Sequence, residues 1–301
     1  MMALSPLPGQ LQIDATLGGG GHAVRILEAS SPDGRLLGLD ADQAAIARCQ
    51  DRLAGFGSRA SLRQANFEQL AEVAAATGFA PVEGILFDLG LSSFQLADDE
   101  RGFSFRSTGP LDLRFDAGQG RPAAELLRDL DEVDIARILR TYGEEPHARH
   151  IARAIVEQRR RRPIETAADL AALVERVVPA PRGGRRRTHA ATRTFQALRI
   201  AVNRELEVLP TALAAAVDLL RPGGRLAVLA YHSLEDRIVK RFMAAERRGC
   251  ICPPQIPVCV CGRLPRLRAI GPTPGFPGDD EVAANPRARS ARLRAAERLA
   301  A

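Results

Sequence analysis

Within its first ninety residues the chain alternates short apolar runs with stretches of helical spacing, and three of the four runs close on aspartate. Leu11-Gln12-Ile13-Asp14 reads as a strand, Thr16 to Gly21 as a loop, and His22 to about Ser30 as a helix. Arg35 to Asp40 is a second strand, Ala41 to Leu53 a helix spaced to pack on a sheet, and Leu62 to Ala65 a third strand. Gly84-Ile85-Leu86-Phe87 is a fourth, followed by Asp88. Strand and helix units repeating at this spacing imply a parallel, doubly wound α/β sheet.

The rhythm then stops. From about Gly109 to Ala201 the pattern is helical: Ala123 to Asp129, Asp131 to Thr141, His147 to Arg160, Ala167 to Val178, and Thr192 onward. Arg182-Gly183-Gly184-Arg185-Arg186-Arg187 interrupts it as an exposed loop. The α/β pattern resumes with a helix from Glu205 to Leu220, the turn Arg221-Pro222-Gly223-Gly224, a strand from Arg225 to Ala230 and a helix from near Ser233. The expectation is one discontinuous α/β domain, 1–108 and 202–301, with a helical domain, 109–201, inserted after the fourth strand.

A strand, a glycine-rich loop and a helix make a backbone-rich site at the carboxyl end of a sheet. Gly18 to Gly21 permit close approach of a ligand, and Asp40 can accept hydrogen bonds from both hydroxyls of a ribose. This pattern binds an adenosine-containing cofactor without saying which. Gly18-x-Gly20-x-x-Ala23 with Asp40 also fits the dinucleotide fingerprint, so a nicotinamide-dependent oxidoreductase stays open. Against it stand Pro222-Gly223-Gly224 before a strand and Asp88-Leu89-Gly90-Leu91-Ser92-Ser93 after one, both at home in methyltransferases.

Longer strings carry a more specific resemblance. Asp14-Ala15-Thr16-Leu17-Gly18-Gly19-Gly20-Gly21-His22 and Phe87-Asp88-Leu89-Gly90-Leu91-Ser92-Ser93-x-Gln95-Leu96 resemble the bacterial 16S rRNA cytosine-N4 methyltransferases of the RsmH/MraW family. Arg101-Gly102-Phe103-Ser104-Phe105, Gly109-Pro110-Leu111-Asp112-Leu113-Arg114 and Thr141-Tyr142-Gly143-Glu144-Glu145 resemble the same family. So do Ala191 to Arg199, His232 to Lys240 and Asn285-Pro286-Arg287-Ala288-Arg289-Ser290. The resemblance implies a Rossmann-like, seven-stranded S-adenosylmethionine-dependent core with an inserted helical domain. It implies cofactor contacts from Gly20, Gly21, His22, Asp40, Phe67, Asp88 and Gln95, and a decoding-region cytosine of 16S rRNA in the small subunit as substrate. Relatives of this kind carry a segment resembling His-x-Pro-Val-Leu ahead of the first strand. The present sequence begins almost at that strand, which reads as a misplaced start or a truncation and puts packing round the site, and activity, in question.

The cytosine amine is a poor nucleophile because its lone pair is delocalised into the ring. Fixed acceptors for its protons, and alignment, are what a protein can offer. Asp88, Ser92 and His232 are the candidates for that environment, and no general base is assigned. The simpler alternatives are that Ser92 and Ser93 cap a helix and that His232 is a satisfied polar residue at a strand end. Asp112 and Asp116 read as surface acids by spacing, although the resemblance draws more attention to Asp112. A catalytically silent RNA-binding assembly factor is the remaining alternative function.

A net charge of +6 and a pI near 9.6 favour a polyanionic partner, although Lys240 is the only lysine and the arginine bias inflates basicity everywhere. Between Pro146 and Arg193 there are twelve arginines against four acidic residues, which points to phosphate contact by the insertion. Tryptophan is absent and tyrosines number two, so base stacking is not advertised. Met1 to Gln10 has neither the basic nor the apolar region of a signal peptide, and no apolar run is long enough to cross a bilayer. A cytoplasmic protein acting on RNA, with no membrane or DNA partner and an open oligomeric state, is expected. Cys250-x-Cys252 and Cys259-x-Cys261 could hold zinc tetrahedrally, but the spacing is tighter than C-x-x-C, so unligated thiols are the preferred reading and no metal site is assigned. Cys49 reads as a packed small residue on a helix.

Overall fold

A computed structural model describes residues 3–179, 189–253 and 255–300. The chain forms two compact units, Met1–Gly90 with Leu206–Ala301, and Leu91–Glu205.

The first unit is built on a seven-stranded sheet. Its strands are β1 (Leu11–Asp14), β2 (Arg35–Asp40), β3 (Ala60–Gln64), β4 (Val82–Asp88), β5 (Leu220–Ala230), β6 (Leu267–Ala269) and β7 (Arg292–Arg298), in the order β3-β2-β1-β4-β5-β7-β6. The first five run parallel, and β7 pairs antiparallel with both β5 and β6. The central strands are buried on both faces, which is why they read as continuous apolar runs rather than alternating ones. Ile13, Leu37, Leu39, Ile85, Phe87 and Val228 join one core, with Leu209, Ala212 and Leu213 from the helix Glu205–Leu219 and Val239 and Met243 from the helix Ser233–Arg248. Leu36, Leu86 and Ala227 join another, with Ile26 and Leu27 from the helix Gly21–Ala29 and Ile46 and Leu53 from the helix Gln43–Leu53.

The stretch expected as a turn, Arg221 to Gly224, lies within β5. Its pairing with β4 jumps from Leu220 opposite Val82 to Arg225 opposite Gly84, so the four residues bulge out of the ladder with Gly223 at φ +82°.

Neither β6 nor β7 is among the strands read from the sequence, and β7 is the better hidden. Its sequence, Arg292-Leu293-Arg294-Ala295-Ala296-Glu297-Arg298, is too charged to look like part of a sheet. Arg294 is nevertheless buried, and its guanidinium donates to both oxygens of Asp236, at 2.7 and 3.1 Å, while Arg292 donates to the same carboxylate at 2.9 Å. A buried arginine is tolerated because the pairing is bidentate.

The second unit is helical, with helices Ser93–Ala97, Ala123–Asp129, Glu132–Gly143, Ala148–Arg159, Ala167–Val177 and Thr192–Asn203 among its described residues. Its core gathers Leu111, Leu127, Ile135, Leu139, Ile151, Ile155, Leu170, Val174 and Leu198. It starts at Leu91 rather than at Gly109, because Phe103 is buried in this helical core and Leu91, Leu96 and Phe105 pack against it. Two of the strings carrying the family resemblance are locked together here. Gly102 has φ +63°, and a Cβ on it would meet the Pro110 carbonyl oxygen at 2.2 Å; a Cβ on Gly109 would meet that of Asp99 at 1.9 Å. The Arg101 guanidinium donates to the Phe115 carbonyl at 2.7 Å and also to that of Arg114, and Leu113 N–H donates to the Arg101 carbonyl at 3.0 Å. Asp112 forms a two-point ion pair with Arg114, both bonds 2.7 Å. The arginine loop expected at Arg182–Arg187 lies outside the described residues.

Gly102→Ala is expected to destabilise the protein by about 1–3 kcal/mol through its backbone conformation alone, before the contact with Pro110 is counted. Thermal unfolding checks this: a variant melting with the wild type would show that this close approach does not hold the segment.

Candidate active site at the carboxyl edge of the sheet

In the order β3-β2-β1-β4-β5 the chain turns back between β1 and β4, and a crevice opens at such a switch point beyond the carboxyl ends of the strands. Three carboxylates stand there. Asp14 ends β1, opposite Gly38 of β2 and Leu86 of β4, so Asp40 and Asp88 each lie two residues further along the flanking strands.

Asp40 builds the glycine loop. One of its oxygens accepts from Gly18 N–H at 2.7 Å and the other from Asp42 N–H at 2.9 Å. Burial drives its pKa up to about 6 against these hydrogen bonds. The loop itself needs glycine: Gly18 has φ +52° and Gly20, which precedes the helix Gly21–Ala29, has φ +73°. Behind it, Arg52 donates to the Gly19 carbonyl at 2.7 Å and the Cys49 thiol lies 3.5 Å from that of Gly18. A Cβ on Gly20 would meet Cys49 Sγ at 3.0 Å, whereas one on Gly21 would meet nothing within 4 Å. Cys49 is fully buried, as expected, and supports the back of the loop while its front stays open.

Asp88 is held by three groups. The Tyr231 hydroxyl donates to its Oδ1 at 2.7 Å, His22 Nε2 lies 3.4 Å from its Oδ2, and its backbone N–H donates to Thr16 Oγ1 at 2.6 Å. The hydrogen bond to Asp88 raises the pKa of His22 against the opposing effect of burial. Burial, with the Asp88 charge second, drives Tyr231 far above the ordinary phenol range, so it stays a neutral donor. Asp14 is the group the sequence reading passed over. It is buried, one oxygen accepts from Thr16 N–H at 3.2 Å, and the other has no hydrogen-bond partner among the described residues. Desolvation raises its pKa to about 7. Tyr231 was missed too, since one tyrosine at a strand end carries no motif.

Phe67 sits edge-on to Phe87, ring centroids 5.9 Å apart, beyond the end of β3. His232 lies just beyond β5 and precedes a helix. It caps the helix Ser233–Arg248, its ring accepting from Glu235 N–H at 3.4 Å while its Nε2 lies 3.0 Å from Glu235 Oε1. Ser92 and Gln95 belong to the helical unit. Ser92 Oγ accepts from Gln95 N–H at 3.1 Å and Gln95 Oε1 accepts from Ser92 N–H at 3.0 Å, a reciprocal cap on the helix Ser93–Ala97. Gly20, Gly21, His22, Asp40 and Asp88 are thus brought to one edge, with Asp14 and Tyr231 added to them.

A sheet of this order with a reversed seventh strand, a glycine loop and an acidic edge defines a Rossmann-like methyltransferase fold. Over residues 1–299 the chain matches the model of the MraW methylase family, and it belongs to that family. It is 56% identical over 298 residues to a protein of Thermomicrobium roseum named ribosomal RNA small subunit methyltransferase H, covering 99% of this chain and 90% of that one. A protein of the same name in Symbiobacterium thermophilum is 50% identical over 301 residues, covering 100% and 94%. Among the described residues no helix is long and apolar enough to cross a membrane.

The buried carboxylates set a pH dependence. Asp14, at about 7 when folded and 3.8 when exposed, keeps a proton in that window which the unfolded chain has released. Its contribution to stability is therefore full below about pH 4 and lost as the pH rises through about 7. Asp14→Asn is expected to shrink the fall in melting temperature between about pH 5 and pH 8; an unchanged fall would mean that Asp14 is not the group responsible.

Proposed function

We propose that the chain transfers a methyl group from S-adenosylmethionine to the exocyclic N4 of a decoding-region cytosine in the 16S RNA of the small ribosomal subunit. The observation that carries the reading is Asp88, fixed by Tyr231 and His22 at the switch point beside an open glycine loop.

The residues present fit the cofactor. The front of the loop at Gly21 leaves room for a ligand against backbone, Asp40 retains lone pairs for ribose hydroxyls, and Asp14 offers a buried acceptor without a partner. Gly20, Gly21, His22, Asp40 and Phe67 would hold the nucleoside portion, and Asp14 and Asp88 the amino-acid end. When bound, S-adenosylmethionine supplies a methyl group made electrophilic by its sulfonium sulfur.

The protein's own part is orientation and proton handling. The Asp88 carboxylate is an acceptor for an N–H of the cytosine amine, and an amine so engaged points its lone pair away from that bond. The amine proton becomes acidic only once the new N–C bond forms, and a carboxylate at Asp88 can then take it. The target base must be unpaired or turned out of its stack to reach such an edge. The helical unit is proposed to meet the RNA. Arg160, Arg161 and Arg162, just beyond the helix Ala148–Arg159, are exposed, and guanidinium pairs well with phosphate. Arg159 is otherwise engaged, donating to the Leu130 carbonyl at 2.6 Å and to that of Leu127.

Labelled S-adenosylmethionine and small subunits from cells lacking this enzyme supply the test, with nucleoside analysis of the product. Label is expected as N4-methylcytidine. Asp88→Ala should lower the rate about a hundredfold or more, and Tyr231→Phe, which removes one hydrogen bond, roughly fivefold. Label in another nucleoside, or an unaffected Asp88→Ala, would overturn the assignment.

A further inference from the structure

The described residues of the segment between the helix Ser233–Arg248 and β6, from Gly249 to Arg266, have no regular secondary structure. From Ile251 to Pro265 none of its described residues is buried. Ile251, Val258, Val260 and Leu264 are each more than 60% exposed, so the apolar side chains here do not close a core of their own. Ordering each residue of such a segment costs about 1–2 kcal/mol of backbone entropy. The backbone bonds it makes among the described residues are few and gather mostly at its ends: Gly249 N–H to the Ala245 carbonyl, Cys250 N–H to that of Arg248, Ile256 N–H to that of Pro253, Arg266 N–H to that of Glu246, and Leu299 N–H to that of Arg266.

What does converge is sulfur. Cys252 Sγ lies 3.9 Å from Cys259 Sγ, Cys259 Sγ 3.5 Å from Cys261 Sγ, and Cys261 Sγ 3.9 Å from Cys250 Sγ. All four lie within 4.8 Å of one another, and none is in a disulfide. A tetrahedral zinc ion with Zn–S bonds of about 2.3 Å has S···S edges of about 3.8 Å. The chain thus sets its thiols at nearly the separations that a tetrathiolate ion requires. Val260 N–H donates to Cys252 Sγ at 3.4 Å, the kind of backbone contact that steadies a metal-bound sulfur.

We infer that Cys250, Cys252, Cys259 and Cys261 form a structural zinc site that closes this loop. On binding, four S–H protons are released and four Zn–S bonds form, with no change of oxidation state. Four protein ligands leave no open position for catalysis. The C-x-C spacing that argued against zinc in the sequence is accommodated, because the two pairs approach one another from opposite ends of the loop. The sixteen-residue helix Ser233–Arg248 lies in the chain between Tyr231 and Cys250, and none of the four cysteines is among the residues proposed for methyl transfer, so failure of the zinc site and failure of theirs are separable.

The full-length protein, expressed in zinc-supplemented medium and purified with a phosphine reductant and no chelator, is to be assayed for metal by mass spectrometry. One zinc per chain is expected, and it should fall to background in Cys259→Ser/Cys261→Ser. Cys49→Ala, which removes the remaining cysteine, should keep its zinc. Cobalt substitution should give the intense visible bands of a tetrahedral tetrathiolate, lost in the same double variant. Circular dichroism of that variant guards against general unfolding: zinc lost with the fold intact supports the assignment. Less than stoichiometric zinc in the wild type with its thiols reduced, or zinc retained by the double variant, overturns it.

Discussion

Everything at the working edge follows from burying negative charge where β1 and β4 part. Parallel strands bring their last residues to one side, and here three of those residues are aspartates. Burial alone would neutralise them, and Asp14 and Asp40 do shift in that direction. The protein answers with donors of different kinds: backbone N–H groups of the glycine loop for Asp40, a hydroxyl and an imidazole for Asp88. Asp14 is left with an oxygen that no group among the described residues satisfies. A site made this way is preorganised to accept hydrogen bonds and to favour positive charge.

One kind of local hydrogen bonding recurs through the fold, and two residues singled out in the sequence, Ser92 and His232, take part in it. Asn66 with Gln69, Ser92 with Gln95, Thr166 with Asp169 and His232 with Glu235 are all reciprocal helix caps. A cap needs a polar residue before a helix and another three positions on, which is also how a strand-end functional motif looks. Periodicity cannot separate the two, and only the hydrogen bonds show that His232 starts a helix while its neighbour Tyr231 reaches Asp88.

The first four strands and the glycine loop were legible as elements, and Asp40 and Asp88 as strand-end carboxylates, because each rests on local pattern: apolar runs, a backbone that only glycine adopts, a carboxylate at a strand end. The final strand was not, since Arg294 is tolerable in a sheet only through Asp236, fifty-eight residues away in sequence. Asp14 was visible as a residue but not as a site, because its significance is its burial. The boundary at Leu91 escaped for a similar reason. Residues 91–108 have no helical rhythm long enough to announce their unit, yet Phe103 and its neighbours join the helical core.

The position of the insertion also bears on the order in which the fold can be completed during synthesis. Strand β5 is the partner of β4, with Asp88 opposite Leu229, but it leaves the ribosome only after the whole of Leu91–Glu205. Until then β4 presents an unpaired edge of amides and carbonyls, the kind of edge that invites pairing with another chain. Closing so long a loop is tolerable because loop entropy grows only logarithmically with length. It becomes easier still if the intervening residues have already collapsed round their own core.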